Sequence, residues 1–428
     1  MKKLYFLICL TLMFYPSKVV ADNIKPTFYD DVLPIFKAKC IECHNGKTVA
    51  NVLLTTYENV RPWVRSISKN ITNGDMPPWF ADPNHGIFSN ERKLSNKEKE
   101  TVLNWIKEGT SKGEDTGQVV IEAVKDDSEW EIGNPDIIIS MPEPFTVPAS
   151  GVVDYKHIRV NPGFEEDKWI EKMEIKPENK NVVHHIILFI TSPKGTRTML
   201  GGWAPGLTIF NPKPGEDMGL FIPAGSGLVF QMHYTTNGTE QTDQSSVGFK
   251  FRETPPKNIL NISGIFNVRL RIPKNDPNYV TTAEKIFIED TEIISLMPHM
   301  HLRGKSFKYT LHRNDGSEEI LLSVPKYNFE WQLHYDFVNP VLVRKNEKIV
   351  CEAIYDNSAS NINNPDPNVD VKWGDQTFDE MLIGWYTEIL PNKTFVNNSN
   401  IGNQISKIEA LLREQKSIVD QIDIKKFK

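Results

Sequence analysis

From about residue 136 to residue 395 the chain is cut into short runs rich in β-branched and aromatic residues, among them "HHIILFI", "GLVFQMHYTT", "KIFIEDTEIISLMP" and "KSFKYTLHR". Gly, Pro and Asn turns separate them at short intervals. That pattern is the signature of antiparallel sandwiches, and the length of the region suits two. The expected fold is therefore mainly β. Two antiparallel, jelly-roll-like sandwiches over 136–258 and 259–395 follow a small all-α domain. No tandem repeat is evident, although two similar sandwiches could hide one.

The region 22–117 reads as helical. Phe28, Val32, Ile35 and Phe36 fall at helical spacing. In "LSNKEKETVLNWIKEG", Ser95 is an N-cap with Glu98 three residues on, a capping box; Val102, Trp105 and Ile106 form one apolar face, and Gly109 stops the helix. Between these lies "KAKCIECHNGK", which sets Cys40, Cys43 and His44 in C-x-x-C-H spacing. Two thiols and a histidine so spaced attach a haem covalently, the thiols as thioethers and His44 as the proximal ligand. A zinc site is the bland alternative, but no second Cys/His pair lies nearby. The region is thus expected to be a cytochrome c-like domain carrying one haem c. Met76, on the Pro-stiffened "NGDMPPWF" loop, is the expected sixth ligand. A thioether there raises the potential and favours electron transfer. His85 is the rival, and an ordinary surface histidine is its plain reading. The polar stretch 118–135 reads as a linker. Residues 396–428, with apolar Ile405, Ile408, Leu411, Leu412 and Ile418 at helical spacing, read as a tail packing on the body or a partner.

Residues 1–21, "MKKLYFLICLTLMFYPSKVVA", combine two lysines, a short apolar run and small Ala21, which is the pattern of an export signal. Export suits haem c, which is attached outside the cytoplasm, so a periplasmic or otherwise exported bacterial protein is expected. Bulky Ile8 before Cys9 disfavours a lipoprotein. After cleavage Cys40, Cys43 and Cys351 remain, so no internal disulfide forms without sacrificing the haem motif. Such a chain must rest on its own cores and on metals. A net charge of −6 with mixed signs argues against nucleic acid, and no later apolar run approaches membrane-spanning length.

Five of the ten histidines form a pattern in the β region: His184 and His185 in "VVHHI", His233 in "FQMHY", His299 and His301 in "MPHMHLRGK". Residues two apart on a strand share a face, so His299 and His301 can grip one metal. Adjacent His184 and His185 would point to opposite faces. They reach one ion only with local backbone distortion or different ring nitrogens, and His233 would complete three nitrogens. For the second pair Met381 of "WGDQTFDEML" is a candidate third ligand, its thioether favouring copper(I); Met297 competes from the same strand face. Taken singly, each histidine could be an ordinary hydrogen-bonded residue. His157, His312 and His334 have no ligand-like spacing and read as structural.

These motifs resemble the copper type II, ascorbate-dependent monooxygenases, the family of peptidylglycine α-hydroxylating and dopamine β-monooxygenases. The chain has HH at 184–185, "QMHY" at 231–234, "HMH" at 299–301 and "DEM" at 379–381, in the family's order. The resemblance covers about 136 to 395; the front part is similar to the cytochrome c domains fused to bacterial members. It implies two copper ions, one per sandwich, facing each other across an open, watered cleft. His184, His185 and His233 would hold the electron-storing copper. His299, His301 and Met381 would hold the copper that binds dioxygen, making these the catalytic ligands. A C–H bond of a small-molecule substrate would be hydroxylated. Gln231 is either a neighbour of the cleft or a plain strand residue.

The departures bear on the substrate. The family's carboxylate-binding arginine two residues before H-x-H corresponds here to Met297. Its Asn and Tyr after the ligand methionine correspond to Ile383 and Trp385. Losing a charged bidentate partner would cost about 1.5–3 kcal/mol or more. A small, apolar or aromatic substrate is therefore expected, not peptidylglycine. The haem would relay electrons from an external donor at high effective concentration, where other members take them from ascorbate. The competing expectations are a non-catalytic copper and haem electron-transfer protein, or an oxidase or reductase that does not hydroxylate carbon. A zinc hydrolase is the weaker rival.

Overall fold

The computed structural model describes residues 25–45, 52–115, 130–195, 197–204, 210, 212 and 216–390. The expected export signal and C-terminal tail lie outside the described residues, as do linker residues 118–129.

Strand periodicity places the β region's core. Along Lys348–Tyr355 every second side chain, Ile349, Cys351, Ala353 and Tyr355, is fully buried. One long sheet carries eight strands in the order Ile137–Ser140, Ser246–Arg252, Lys168–Lys176, Met218–Ile222, Asn258–Phe266, Ile383–Ile389, Thr291–His299 and Tyr335–Val343. A four-stranded sheet (Lys156–Val160, Gly227–Tyr234, Val183–Thr191, Arg197–Trp203) shares a core with its first half, where Ile170 and Phe249 meet Ile186, Leu188 and Phe230. A second (Tyr279–Ile286, Lys348–Tyr355, Gly304–His312, Glu318–Val324) shares a core with the other half, where Ile293 and Tyr386 meet Phe307, Tyr309 and Ile349. Each half is thus sheet packed on sheet.

The two halves are not separate antiparallel units. Met218–Ile222 and Asn258–Phe266 pair in parallel, through Asn258↔Met218 and Ile259↔Gly219, and fuse them into one sheet. The sequence between the halves explains the junction. Pro256 turns the chain alongside Met218–Ile222, and only a glycine at 219 admits it, since a Cβ there would lie 2.9 Å from Pro256 Cγ and 2.8 Å from the Ile170 carbonyl.

The front part is helical over Leu33–Lys39, Tyr57–Val60, Val64–Asn73 and Asn96–Lys107. The capping box is formed: Glu98 N–H donates to Ser95 Oγ at 3.2 Å and Ser95 N–H to the Glu98 carboxylate at 2.7 Å. Phe28, Phe36, Val102 and Trp105 make its core. This part docks on the second half, where Ala81 and Phe88 join the core, Ser89 N–H donates to the Asp336 carbonyl at 2.7 Å and Asp82 N–H to the Ser323 carbonyl at 2.8 Å. The stretch expected as linker also ends docked. Ile132 is buried, and the Glu174 carboxylate accepts from Glu131 N–H at 2.6 Å and Ile132 N–H at 3.2 Å, so 130–135 belongs to the first half. Cys351 is a buried free thiol facing Gly384. No helix among the described residues is long and apolar enough to cross a membrane.

Candidate metal centres

The adjacent histidines share one side because the strand is bulged. Val183 pairs with Tyr234 and His185 with His233, so His184 is the extra residue between them. The backbone distortion that two neighbouring ligands require is therefore present. His184, His185 and His233 then offer ring nitrogens all within 4.8 Å of one another.

The outer partners decide which nitrogens face inward. His184 Nε2 lies 3.8 Å from the Glu330 carboxylate, His185 Nε2 3.3 Å from the Tyr155 hydroxyl, and His233 Nε2 3.2 Å from Thr377 Oγ1. That leaves the Nδ1 atoms. Those of His184 and His185 are 3.2 Å apart, and His233 Nδ1 is buried without a hydrogen-bond partner. Two nitrogens each about 2.0 Å from one tetrahedral ion sit about 3.3 Å apart. An ion held by three Nδ1 atoms fits the close pair and satisfies the orphaned one. Tyr155 stacks on His233, ring centroids 4.7 Å apart. Burial holds His233 down at about 3 and His185 well below the usual histidine range, so both rings are neutral and keep their lone pairs at neutral pH.

The second set is anchored the other way round. His299 Nδ1–H donates to Gln332 Oε1 at 2.6 Å, and His301 Nδ1–H to the Asp379 carbonyl at 3.1 Å. Since amide oxygens only accept, both protons are fixed on Nδ1 and both Nε2 atoms are free to ligate. Burial lowers His299 to about 4 and His301 to about 3. The backbone between them is clamped: Tyr327 Oη accepts from Met300 N–H at 3.0 Å and donates to the Met300 carbonyl at 2.8 Å. Fully buried Glu380 accepts from His301 N–H at 2.8 Å and Arg303 N–H at 2.6 Å. The same glutamate holds the 379–381 segment against the turn that follows the strand end at His299, and Met381 is half-buried there. Arg303 is itself held by Asn357 Oδ1 at 2.9 Å, so the polar Asn-rich loop buttresses this site.

Cys40, Cys43, His44 and Met76 line one cavity of about 310 Å³ in the front part, with Phe36, Ile71, Leu94 and Trp331 among its walls. His44 Nδ1–H donates to the Val52 carbonyl at 2.8 Å, again leaving Nε2 as the ligand atom. An apolar crevice with paired thiols, an oriented imidazole and a thioether is the donor set haem c requires. His85 is not part of that wall.

The two histidine sets meet at Phe329. It stacks on His184 at 5.6 Å and meets His301 edge-on at 5.8 Å. The resemblance implies an open, watered cleft; here an aromatic ring stands between the sets, because the segment 325–334 folds across the seam. Met297 is buried on the strand beside His299. Gln231 bonds His157 at 2.9 Å, on the strand face it shares with His233. His312 pairs with Glu318 at 3.1 Å, and His334 lies 3.4 Å from Ser295 Oγ. Tyr155, Thr377, Tyr327, Phe329 and Gln332 were not indicated by spacing. They come from distant strands and loops, and apart from Thr377, which lies beside the "DEM" motif, their sequence surroundings carry no motif.

No family model matches the chain. Among solved structures it is similar to the major capsid protein P2 of bacteriophage PM2, at 9% identity over 59% of this chain and 100% of that one, with a TM-score of 0.30. It is also similar to the STIV MCP, at 8% identity over 60% of this chain and 97% of that one, with a TM-score of 0.32. Allantoicase follows at 10% identity over 50% of this chain and 81% of that one, with a TM-score of 0.17. Likeness of this degree carries no conclusion about what the chain does.

Proposed function

We propose that the chain is an exported, two-copper monooxygenase of the copper type II, ascorbate-dependent kind, with jelly-roll-like sandwiches and an attached cytochrome c domain. It would hydroxylate a C–H bond of a small apolar or aromatic substrate. His184, His185 and His233 would hold one copper, His299, His301 and Met381 the other, and Cys40, Cys43, His44 and Met76 a haem c. When bound, the coppers supply dioxygen activation and the haem supplies one-electron relay.

One observation carries the reading: two unlike histidine sets, one with its Nδ1 atoms unanchored and one with its Nε2 atoms unanchored, meet at a single seam. The protein's own part is orientation. The bulge at His184 turns a third ring inward, while Gln332 and the Asp379 carbonyl fix the tautomers of His299 and His301. Burial keeps all four buried rings neutral at physiological pH. The apolar substrate is supported by Met297 and Ile383, both buried, and by Trp385, which packs edge-on against Phe266 at 5.4 Å. No charged fork stands at those positions to pair with a carboxylate.

The test is turnover of a panel of small aromatic and aliphatic substrates under isotopically labelled dioxygen, with ascorbate as reductant. One labelled oxygen in the product, lost in His301→Ala, supports a monooxygenase. Dioxygen consumed with only peroxide or water formed would make it an oxidase. No consumption by the fully metallated protein would leave an electron-transfer protein. Turnover of a peptide ending in glycine would contradict the substrate class.

A further inference from the structure

The segment joining Glu318–Val324 to Tyr335–Val343 touches all three candidate cofactor sites within four residues. Trp331 forms part of the wall of the cavity that holds Cys40, Cys43, His44 and Met76. Its neighbour Gln332 accepts from His299 Nδ1–H at 2.6 Å. Its other neighbour, Glu330, lies 3.8 Å from His184 Nε2, and Phe329 stacks on that same ring. From the indole at the crevice, the chain leads through one peptide to Gln332 or to Glu330, each of which contacts a histidine of one set. The front part is held against this segment by Asn90, whose Nδ2–H donates to the His334 carbonyl at 3.0 Å and to the Asp336 carboxylate at 2.9 Å.

We infer that Phe329–Gln332 is the electron bridge from the haem crevice to the metal seam, with Trp331 at its haem end and the Gln332–His299 hydrogen bond as its main exit. This rests on the proposed haem and copper occupancy. In each passage one electron would leave ferrous haem, making it ferric, and would reduce one cupric centre to cuprous. No bond is made or broken and no proton is transferred. An external one-electron donor then reduces the haem again. The 2.6 Å hydrogen bond favours the His299 exit over the 3.8 Å contact at His184. Trp331 and Gln332 are positioning residues here.

The experiment uses the full chain with haem attached and copper(II) saturating. A laser flash generates flavin semiquinone, which reduces the haem, and haem reoxidation is followed by its absorbance. Trp331→Leu is expected to slow reoxidation by about tenfold or more, the scale on which removing a supporting group acts at a metal site. Gln332→Leu at saturating copper slows it similarly, and Trp331→Tyr restores most of the rate. Haem potential and spectrum should stay constant in Trp331→Leu, which a merely structural role for the indole would not predict together with the slowing. Unchanged reoxidation in both leucine variants, with full haem and copper, would overturn the bridge while leaving the two-copper reading intact. A wild-type chain that binds no copper would overturn both.

Discussion

The two histidine sets solve the same problem with opposite ends of the ring. The first anchors Nε2 outward, on Glu330, Tyr155 and Thr377, and turns Nδ1 inward. The second anchors Nδ1 on an amide oxygen and a backbone carbonyl and leaves Nε2 free. Nδ1 is the nitrogen nearer the main chain. An ion on the first set would therefore sit close to its strands, in a position set by the bulge at His184. An ion on the second set would stand farther out, on rings whose aim is fixed before any metal arrives. Under the proposed function, the contrast would suit a fixed electron store beside a centre that must leave room for reactants.

The comparison breaks most severely at Glu380. Glu380→Ala removes the acceptor of two buried N–H groups flanking Leu302 and leaves both donors unpaired. A loss of about 2–4 kcal/mol is expected, read from denaturant midpoints. Gln332→Leu should follow. Copper at the second set should weaken about 10–100-fold by competition titration, with the first set unaffected. Equal weakening at both would show that the sets are not independent.

Acid should act on both sets in the metal-free protein. The folded values of about 3 for His233 and His301 and about 4 for His299 lie below the roughly 6.5 of an unfolded histidine. Below pH 6.5 the unfolded chain takes up protons that the folded one does not. Stability present above that value is thus lost progressively as pH falls towards 3, by at most about 1.4 kcal/mol per pH unit for each ring. Denaturation midpoints of the chelator-treated protein at stepped pH measure this. The smallest effect belongs to Tyr155→Phe, which removes the 3.3 Å contact with His185 but keeps the stack on His233. About 1 kcal/mol or less is expected, visible as weaker copper binding at the first set alone.

The candidate ligands were more legible in the sequence than the groups that orient them. Strand periodicity and turn residues carried the two sandwiches. The strand expected to carry His299 and His301 on one face ends at His299, with His301 in the turn beyond it, whereas the adjacent pair at 184–185 demanded a backbone distortion that the bulge supplies. The capping box at Ser95 and Glu98 was also legible, since both partners lie within one turn. The parallel join at Gly219 and Ile259 was not, because its partners are remote in sequence and meet for only two residues. Tyr327, Phe329, Trp331 and Gln332 were equally silent. They lie in one connecting segment whose role exists only once it crosses the seam.

The measurement that tests the central claim most directly is iron and copper per chain in the matured protein and in His233→Ala and His301→Ala. The account predicts one iron and two coppers, falling to one copper in each variant, with the remaining copper different in the two cases by its X-ray absorption spectrum. A single copper, zinc in its place, or one variant stripping both coppers would contradict two independent and unlike sites.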